Sequence, residues 1–244
     1  MSAVKFTLTG TTPLLMHRDD PVVADELSAW RHDNKKQVTP GDDRTPPWTW
    51  QCYLYHDGES LALEREMIMK ALSNAGSQVT LRKRTTMKRA SQSGLFIREP
   101  FLEFRSGGEI VPLEDLASHR DDSFDKQTAR AEKHGIKLFV KRATIGMAKH
   151  VRVRPRFDAW SVTGTIEILS DDITAETLKN LFAIAGRDSG LGDWRPSAPK
   201  SPGNFGMFTC ELERVGRSSG GDEEERKPTR REAKEKTVSG PARH

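Results

Sequence analysis

The segment DAWSVTGTIEIL, residues 158–169, alternates apolar with polar side chains and therefore predicts a strand with one buried face. A helix is expected directly afterwards over residues 174–187, where Leu178 and Leu181 belong to an apolar set at helical spacing. A last strand is predicted over residues 205–215, FGMFTCELERV. This strand, helix and strand form the second half of the predicted fold.

The amino-terminal half of the chain repeats this order with one strand more. Residues 3–9, AVKFTLT, alternate as a strand does, and residues 61–75 carry apolar side chains at helical spacing. Residues 95–104, LFIREPFLEF, predict a strand that is interrupted at Pro100. The complete order is βαββαβ, which is typical of a ferredoxin-like or RRM-like α+β domain with two helices on one face of the sheet. A doubly wound α/β domain would need more continuous apolar strands and more alternating helices.

Two segments fall outside this order. Residues 110–157 form a long, basic insertion before the strand at residues 158–169. Residues 216–244 mix both charge signs and contain Val238 as their only large apolar residue, so this tail is predicted to be disordered. We therefore predict a single domain over residues 1–215, followed by a charged tail.

Composition excludes several classes of protein. No apolar run in the 244 residues reaches the roughly 18 residues of a membrane-spanning helix, and residues 1–8 lack the features of a secretory signal. A cytoplasmic protein without a membrane partner is expected. Cys52 and Cys210 have no second Cys or His beside them at zinc-ligand spacing, which argues against a metal site. The glycine spacing matches neither a dinucleotide-binding fingerprint nor a P-loop, so no cofactor is expected.

Positive charge is concentrated although the net charge is only +4. Residues 81–89, LRKRTTMKR, and residues 137–156, KLFVKRATIGMAKHVRVRPR, contain no acid. Several point charges along a groove suit a phosphate backbone, so these runs are predicted to bind nucleic acid. The predicted contacts are Arg82, Lys83, Arg84, Lys88, Arg89, Lys137, Lys141, Arg142, Lys149, Arg152, Arg154 and Arg156. Solvated faces balanced by acids elsewhere in the chain are the alternative interpretation.

Strand alternation makes the longer run more specific. Around residues 149–154, it places Arg152 and Arg154 on one face of a strand and Val151 and Val153 on the other. The sequence therefore predicts a basic face that is backed by core residues.

A glycine-rich segment, residues 186–206, is the second candidate site. Its glycines free the backbone to approach another chain closely, and its aromatic side chains are predicted to stack on bases beside Arg195. The predicted contacts are Gly190, Gly192, Trp194, Arg195, Gly203, Phe205 and Gly206. Alternatively, Trp194 is a core anchor and the glycines only make turns.

Two histidines are weak candidates for acid–base chemistry. His17 follows the first strand, where an active-site residue can sit, and His150 lies within the basic insertion. The chain has no H-E-x-x-H, G-x-S-x-G or paired metal-ligand motif. A metal-independent ribonuclease that uses one of these histidines as general base remains an alternative to a protein without enzymatic activity.

The strings TGTTPLLMH (residues 9–17), GLGDWRP (residues 190–196) and GNFGMF (residues 203–208), together with the element order and the basic insertion, resemble the RAMP superfamily of CRISPR-associated RNA-binding proteins. The order resembles the backbone subunit of this superfamily most. The TPLLMH and GLGDWRP strings are also similar to a group of small uncharacterised proteins carried by phages and prophages. The resemblance covers about residues 3–215, and the chain is short for a backbone subunit.

This resemblance implies a palm made of residues 3–9, 61–105 and 158–215, with residues 110–157 as a thumb-like insertion over the bound strand. It implies a non-enzymatic protein of antiviral defence that binds single-stranded RNA as repeated protomers, with other effector subunits as possible partners in a ribonucleoprotein. The aromatic signature of an ordinary RRM is absent, so no base-reading residue is assigned. The alternatives are a phage single-stranded DNA-binding or recombination protein of the same fold, a metal-independent endoribonuclease, and a phage assembly module whose basic clusters face a partner protein.

Overall fold

The computed structural model describes residues 2–117, 120, 122–145 and 148–214, and the tail at residues 216–244 lies outside this part of the chain. The strands in chain order are β1 (Ser2–Gly10), β2 (Leu14–Leu15), β3 (Ala62–Glu64), β4 (Thr80–Arg82), β5 (Thr85–Thr86), β6 (Leu95–Ile97), β7 (Phe101–Ser106), β8 (Ile136–Ile145), β9 (Ala148–Phe157), β10 (Trp160–Ile168) and β11 (Phe208–Arg214). The helices are α1 (Pro21–Asp33), α2 (Arg65–Gly76), α3 (Lys88–Ser93), α4 (Leu113–Ala117), α5 (Phe124–Lys133) and α6 (Ala175–Ile184). Within these described residues, no helix is long and apolar enough to cross a membrane.

The main sheet has six antiparallel strands. Their order is β11, β1, β10, β7 and β3, and β6 pairs with β10 beside β7. β1 runs along both β10 and β11, with Ser2 opposite Ile168 and Val4 opposite Arg214. The α+β prediction is confirmed, and β1, β10 and β11 overlap the strands predicted over residues 3–9, 158–169 and 205–215.

The core lies between this sheet and the helices. Val4, Phe6 and Leu8 alternate along β1 and are buried, as a strand with one covered face requires. The rings of Phe6 and Phe182 on α6 lie 5.4 Å apart. Burying each side chain of this size contributes roughly 1.5–3 kcal/mol, so such contacts hold α6 against β1.

The first long helix begins later than its apolar spacing predicts. Residues 61–64 precede the helix, and Ala62–Glu64 pair with β7 as β3, with Leu63 opposite Leu102. α2 then begins at Arg65. Consecutive apolar residues fit a buried strand as well as a helix, which explains the difference.

The insertion contributes a second sheet to the same core. β8 and β9 form a long hairpin, and β9 also pairs with β2, which gives the order β2, β9 and β8. Ile136, Val153 and Phe157 from this hairpin are buried in the hydrophobic cluster that contains Phe6. The hairpin is therefore joined to the main sheet by shared core packing.

Candidate nucleic-acid interface

The basic residues nearest the base of the β8–β9 hairpin share one acid. Lys137 Nζ lies 2.8 Å from one carboxylate oxygen of Asp158, and Arg156 Nε lies 2.6 Å from the other. The hydrogen bonds from Lys137 and Arg156 lower the pKa of Asp158. One acid from just beyond the run thus offsets one of these two positive charges, which agrees in part with the alternative interpretation of the sequence.

Arg152 and Arg154 share Asp43, which lies in the long loop after α1. Arg152 Nη1 lies 2.9 Å from Asp43 Oδ1, and Arg154 Nη1 lies 3.3 Å from Asp43 Oδ2. Their shared partner confirms that the two arginines lie on one face of β9. However, the Arg154 side chain is only 7% exposed. Arg154 is therefore a buried structural cation rather than the surface phosphate contact that the sequence predicts.

Arg154 also reaches the glycine-rich loop. Its Nε donates a 3.0 Å hydrogen bond to Asp193 Oδ2, and its guanidinium lies 4.4 Å above the ring of Tyr53. Tyr53 in turn donates its hydroxyl to Asp43 Oδ2 at 3.2 Å, and burial raises the pKa of Tyr53 to about 12. This network fixes the hairpin against the glycine-rich loop.

The basic residues toward the tip of the hairpin are free of acids. Lys141, Arg142 and Lys149 are exposed, and none of them has a carboxylate partner among the residues that the structure describes. Lys141 lies on the face of the hairpin that carries Phe139, whereas Arg142 and Lys149 lie on the opposite face. Lys141 Nζ lies 4.4 Å from the ring centroid of Trp194.

An aromatic cluster lies beside Lys141. The ring centroid of Phe139 is 5.8 Å from that of Trp194 and 5.6 Å from that of Phe205. All three rings are half-buried. A groove of about 310 Å³ runs along this cluster, lined by Lys141, Arg142, Ala143, Thr144, Trp194, Ser201, Pro202, Gly203 and Phe205. The structure thus brings together five of the predicted contacts from both candidate segments.

The buried glycines of the loop pack against the backbone of other segments of the fold. Gly190, Gly192 and Gly206 have φ angles of +65°, +74° and +67°, which favour glycine. A side chain on Gly192 would collide with the Leu15 carbonyl, and one on Gly206 would collide with the Leu191 carbonyl. These glycines therefore let the chain pack against its own backbone, which agrees with the alternative interpretation that they make turns.

The exposed part of the loop is held in a fixed shape. Trp194 has a φ of +47°, which is rare for a residue with a side chain. Gly203 lies against the Trp194 carbonyl, where a side chain would not fit. Arg195 donates from Nη1 to Gly192 O at 2.8 Å and from Nε to Ser197 Oγ at 3.2 Å. The loop therefore presents Trp194 and Arg195 in defined positions.

The strings that carry the family resemblance lie against each other. Asp193 N donates to Leu15 O at 2.9 Å, and Gly206 N donates to Pro13 O at 2.8 Å. The glycine-rich loop is thus docked on the segment that follows β1. This contact places His17 beside the loop, with its Nδ1 3.5 Å from Asp193 Oδ2.

The shorter basic run lies elsewhere on the fold. Lys83 and Arg84 form the tip of the β4–β5 hairpin, and Lys88 and Arg89 begin α3. These four residues and Arg82 are all exposed. Arg82 Nη2 lies 3.6 Å from Asp172 Oδ1, just before the start of α6. The run is thus an exposed basic cluster beside the amino end of α6.

The two candidate histidines do not form a pair. Burial lowers the pKa of His17, and Arg154 lowers it further. His150 stands opposite Ala143 in the hairpin, and its Nδ1 is buried with no hydrogen-bond partner among the described residues. The same part of the chain contains no group of three or more His, Cys, Asp or Glu residues that could hold a metal ion.

Sequence reasoning missed three residues that shape the site. The ion pairs that Asp43 and Asp193 form with the arginines of β9 were not predicted from the sequence. Phe139 completes the aromatic cluster. Strand alternation contained a signal for Phe139, because it stands two residues before Lys141 and therefore on the same face.

Comparison with known proteins does not identify a family. No protein-family model matches the chain, and no curated protein sequence matches it. The function is therefore argued from the geometry of the groove and its surroundings.

Proposed function

We propose that the protein binds single-stranded nucleic acid, with RNA as the first choice, in the groove between β8 and the glycine-rich loop. The observation that carries this proposal is the position of Lys141 Nζ, 4.4 Å over Trp194, in a groove that Phe205 also lines. Proteins that hold single strands combine aromatic side chains that stack on bases with cations that hold the backbone. The groove offers both kinds of group within a few ångströms.

The charges around the groove support the same proposal. Arg142 and Lys149 are exposed near the tip of the hairpin and have no acidic partner among the described residues. Concentrated positive charge without nearby carboxylates attracts a polyanion and makes its binding salt-dependent. The exposed cluster at residues 82–89 offers a second place where the same strand can be held.

The order of elements supports a ferredoxin-like palm within this proposal. The elements follow the βαββαβ pattern in the order β1, α2, β6 with β7, β10, α6 and β11. The β8–β9 hairpin lies where the thumb-like insertion is expected. On this basis we propose a role like that of the backbone subunit of the RAMP superfamily. The protein would then act without enzymatic activity, as repeated protomers along the strand, with other effector subunits as partners.

The test is a binding titration with two labelled strands, oligouridine and oligothymidine, each of about 20 nucleotides, which exceeds the ~4–16 nucleotides of a single OB-fold site. Trp194→Ala is expected to weaken binding by about 5- to 150-fold, because stacking on one base is worth roughly 1–3 kcal/mol. Lys141→Ala is expected to weaken it by a comparable factor. Lys179→Ala, an exposed lysine on α6, is the matched control for the loss of one positive charge.

The result also separates the alternatives. Wild-type affinity in both groove variants would mean that the groove is not the binding site. Failure of the wild-type protein to bind either strand at physiological salt would favour the assembly module. Tighter binding of oligothymidine than of oligouridine would favour the phage DNA-binding protein.

A metal-independent ribonuclease is the second candidate, and the position of His17 favours it. Its Nδ1 lies 3.5 Å from Asp193, and its lowered pKa keeps the imidazole neutral and able to accept a proton near neutral pH. RNA cleavage that survives chelator and disappears in His17→Gln would support this activity. Intact RNA after prolonged incubation with the wild-type protein would exclude it.

A further inference from the structure

A second cavity lies between α2 and the beginning of the glycine-rich loop. Its volume is about 260 Å³, and its walls include Tyr55, Met67, Asn74, Ser189 and Arg195. Trp194 lines the groove described above, whereas the next residue, Arg195, lines this cavity. The two sites are therefore neighbours, because consecutive Cα atoms are only about 3.8 Å apart.

The polar groups of the cavity are already held in place. Asn74 Nδ2 donates to Ser189 Oγ at 3.2 Å, and Ser189 is almost fully buried. Two hydrogen bonds fix the Arg195 side chain, from Nε to Ser197 Oγ and from Nη1 to Gly192 O. These two bonds leave Arg195 Nη2 unused. A ligand that accepts from Arg195 would therefore meet a donor that is already oriented.

The backbone around the cavity is unusual. α6 ends in a π-helical turn, Ala185–Ser189, and Gly190 N donates to Ala185 O at 2.9 Å. Such turns occur often at functional sites. Gly190 and Gly192, which follow the turn, both line the cavity and both have positive φ angles. The chain thus departs from a regular helix at the wall of the cavity.

The size and lining of the cavity indicate a small planar ligand. Its volume of about 260 Å³ is below the ~300–1,000 Å³ of pockets for drug-sized molecules. Met67 and Leu191 supply apolar walls, while Asn74, Arg195 and Glu66 supply hydrogen-bonding groups. A nucleobase combines an apolar face with an edge of donors and acceptors, which is the combination that this cavity offers.

We propose that this cavity receives one nucleobase of the bound strand and that guanine fits it best. The inference rests on the proposed function, since it assigns the base next to the one that stacks at Trp194. Guanine offers O6 and N7 as acceptors for Arg195 and an N2 amino group as a donor to Glu66 or Asn74. Adenine carries an amino group where guanine carries O6. This amino group and the Arg195 guanidinium are both donors, so they cannot form a hydrogen bond with each other.

The first experiment compares an all-uridine strand with one that carries a single central guanosine. The wild-type protein is expected to bind the guanosine strand about 5- to 150-fold more tightly, since one well-matched base contact is worth roughly 1–3 kcal/mol. Glu66→Gln and Asn74→Leu are expected to reduce this preference and to weaken binding of the all-uridine strand by a smaller factor. Glu66 is exposed and pairs at the surface with the neighbouring Arg65 at 2.9 Å, a kind of contact that adds little to stability, so its variant tests the cavity without threatening the fold. Asn180→Leu on α6 is the control for the change at Asn74.

A second experiment separates this inference from the proposed function. Guanosine monophosphate and uridine monophosphate are titrated into the full chain, and the side-chain amide of Asn74 is followed by NMR. A shift of the Asn74 signal with guanosine monophosphate that is smaller in Glu66→Gln would support a guanine site in the cavity, even if neither strand binds. Equal response to both nucleotides, or equal affinity of the wild-type protein for both strands, would overturn the inference. The inference would also be overturned if Glu66→Gln and Asn74→Leu weakened binding of the all-uridine strand and of the guanosine strand by the same factor.

Discussion

Asp43 Oδ2 accepts a hydrogen bond from Arg154 Nη1 at 3.3 Å, although the two residues lie 111 positions apart in the chain. Their side chains are 2% and 7% exposed. The same guanidinium donates to Asp193 in the glycine-rich loop. One buried cation thus connects the insertion hairpin with the loop after α1 and with the glycine-rich loop.

Arg154→Ala is therefore expected to destabilise the fold. Removing one partner of a buried ion pair typically costs about 3–5 kcal/mol, because the remaining charge is left without compensation. Asp43 keeps Arg152, so we expect the lower end of this range, about 3 kcal/mol. The measurement is denaturant unfolding followed by circular dichroism.

Lys137→Ala is the control on the same hairpin. Lys137 is 66% exposed in its pair with Asp158, and exposed pairs contribute about 1 kcal/mol or less. A free energy of unfolding for Arg154→Ala that equals that of Lys137→Ala would contradict the structural role of Arg154.

Gly206→Ala is expected to destabilise the protein more than a substitution at an open glycine. Gly206 has a φ of +67°, and a side chain there would collide with the Leu191 carbonyl. Gly107 has a similar φ of +59° but has no atom near the position of a side chain. Left-handed backbone costs an alanine roughly 1–2 kcal/mol, so Gly107→Ala measures this cost alone.

The difference between the two variants isolates the crowding in the loop. We expect Gly206→Ala to lose at least about 1 kcal/mol more than Gly107→Ala, since the Leu191 backbone must move. Thermal unfolding of both proteins gives this difference. Equal midpoints would show that the loop accommodates the added methyl group without strain.

Side-chain alternation predicted β1 and β10 well because one face of each strand is buried and the other carries polar residues. The same rule placed Arg152 and Arg154 on one face of β9. It did not predict the burial of Arg154, since burial depends on acids at positions 43 and 193, which only the fold brings near. The start of α2 was predicted too early, because apolar residues at 61–63 satisfy a strand and a helix equally.

The sequence also predicted only part of the structure of the glycine-rich loop. The alternative interpretation, that its glycines make turns, agrees with the positive φ values of Gly190, Gly192 and Gly206. The sequence did not show which segments of the protein these glycines pack against. The contact of Gly192 with Leu15 joins segments far apart in sequence, and the contact of Gly206 with Leu191 folds the loop onto itself; single-sequence patterns encode neither.

Stability is expected to fall as the pH decreases from about 7.5 toward 5, because His17 binds its proton less readily when the protein is folded. Burial and Arg154 lower the pKa of His17 below its ordinary 6.5, while Asp193 partly opposes them. Burial, with Arg18 beside the ring, also lowers the pKa of His56. Between 6.5 and these lower folded values, the unfolded chain binds more protons, so the free energy of unfolding decreases as the pH falls.

His17→Gln is expected to flatten this dependence. Unfolding by denaturant at several pH values gives the slope for the wild-type and variant proteins. His32→Gln, at an exposed position in α1, is the control for the loss of an imidazole. Parallel slopes in the wild-type protein and His17→Gln would refute a contribution from His17.

The salt dependence of binding is expected to show whether the strand contacts both basic clusters. The logarithm of the association constant falls with the logarithm of the salt concentration, and each phosphate contact on a single strand contributes a slope of about 0.7. Lys141→Ala is therefore expected to reduce the slope by about 0.7. The double change Lys83→Ala and Arg84→Ala is expected to reduce it by about 1.4 if the β4–β5 hairpin holds the same strand. Lys179→Ala should leave the slope unchanged. A slope that responds to Lys141→Ala and not to the double change would confine the strand to the groove between β8 and the glycine-rich loop.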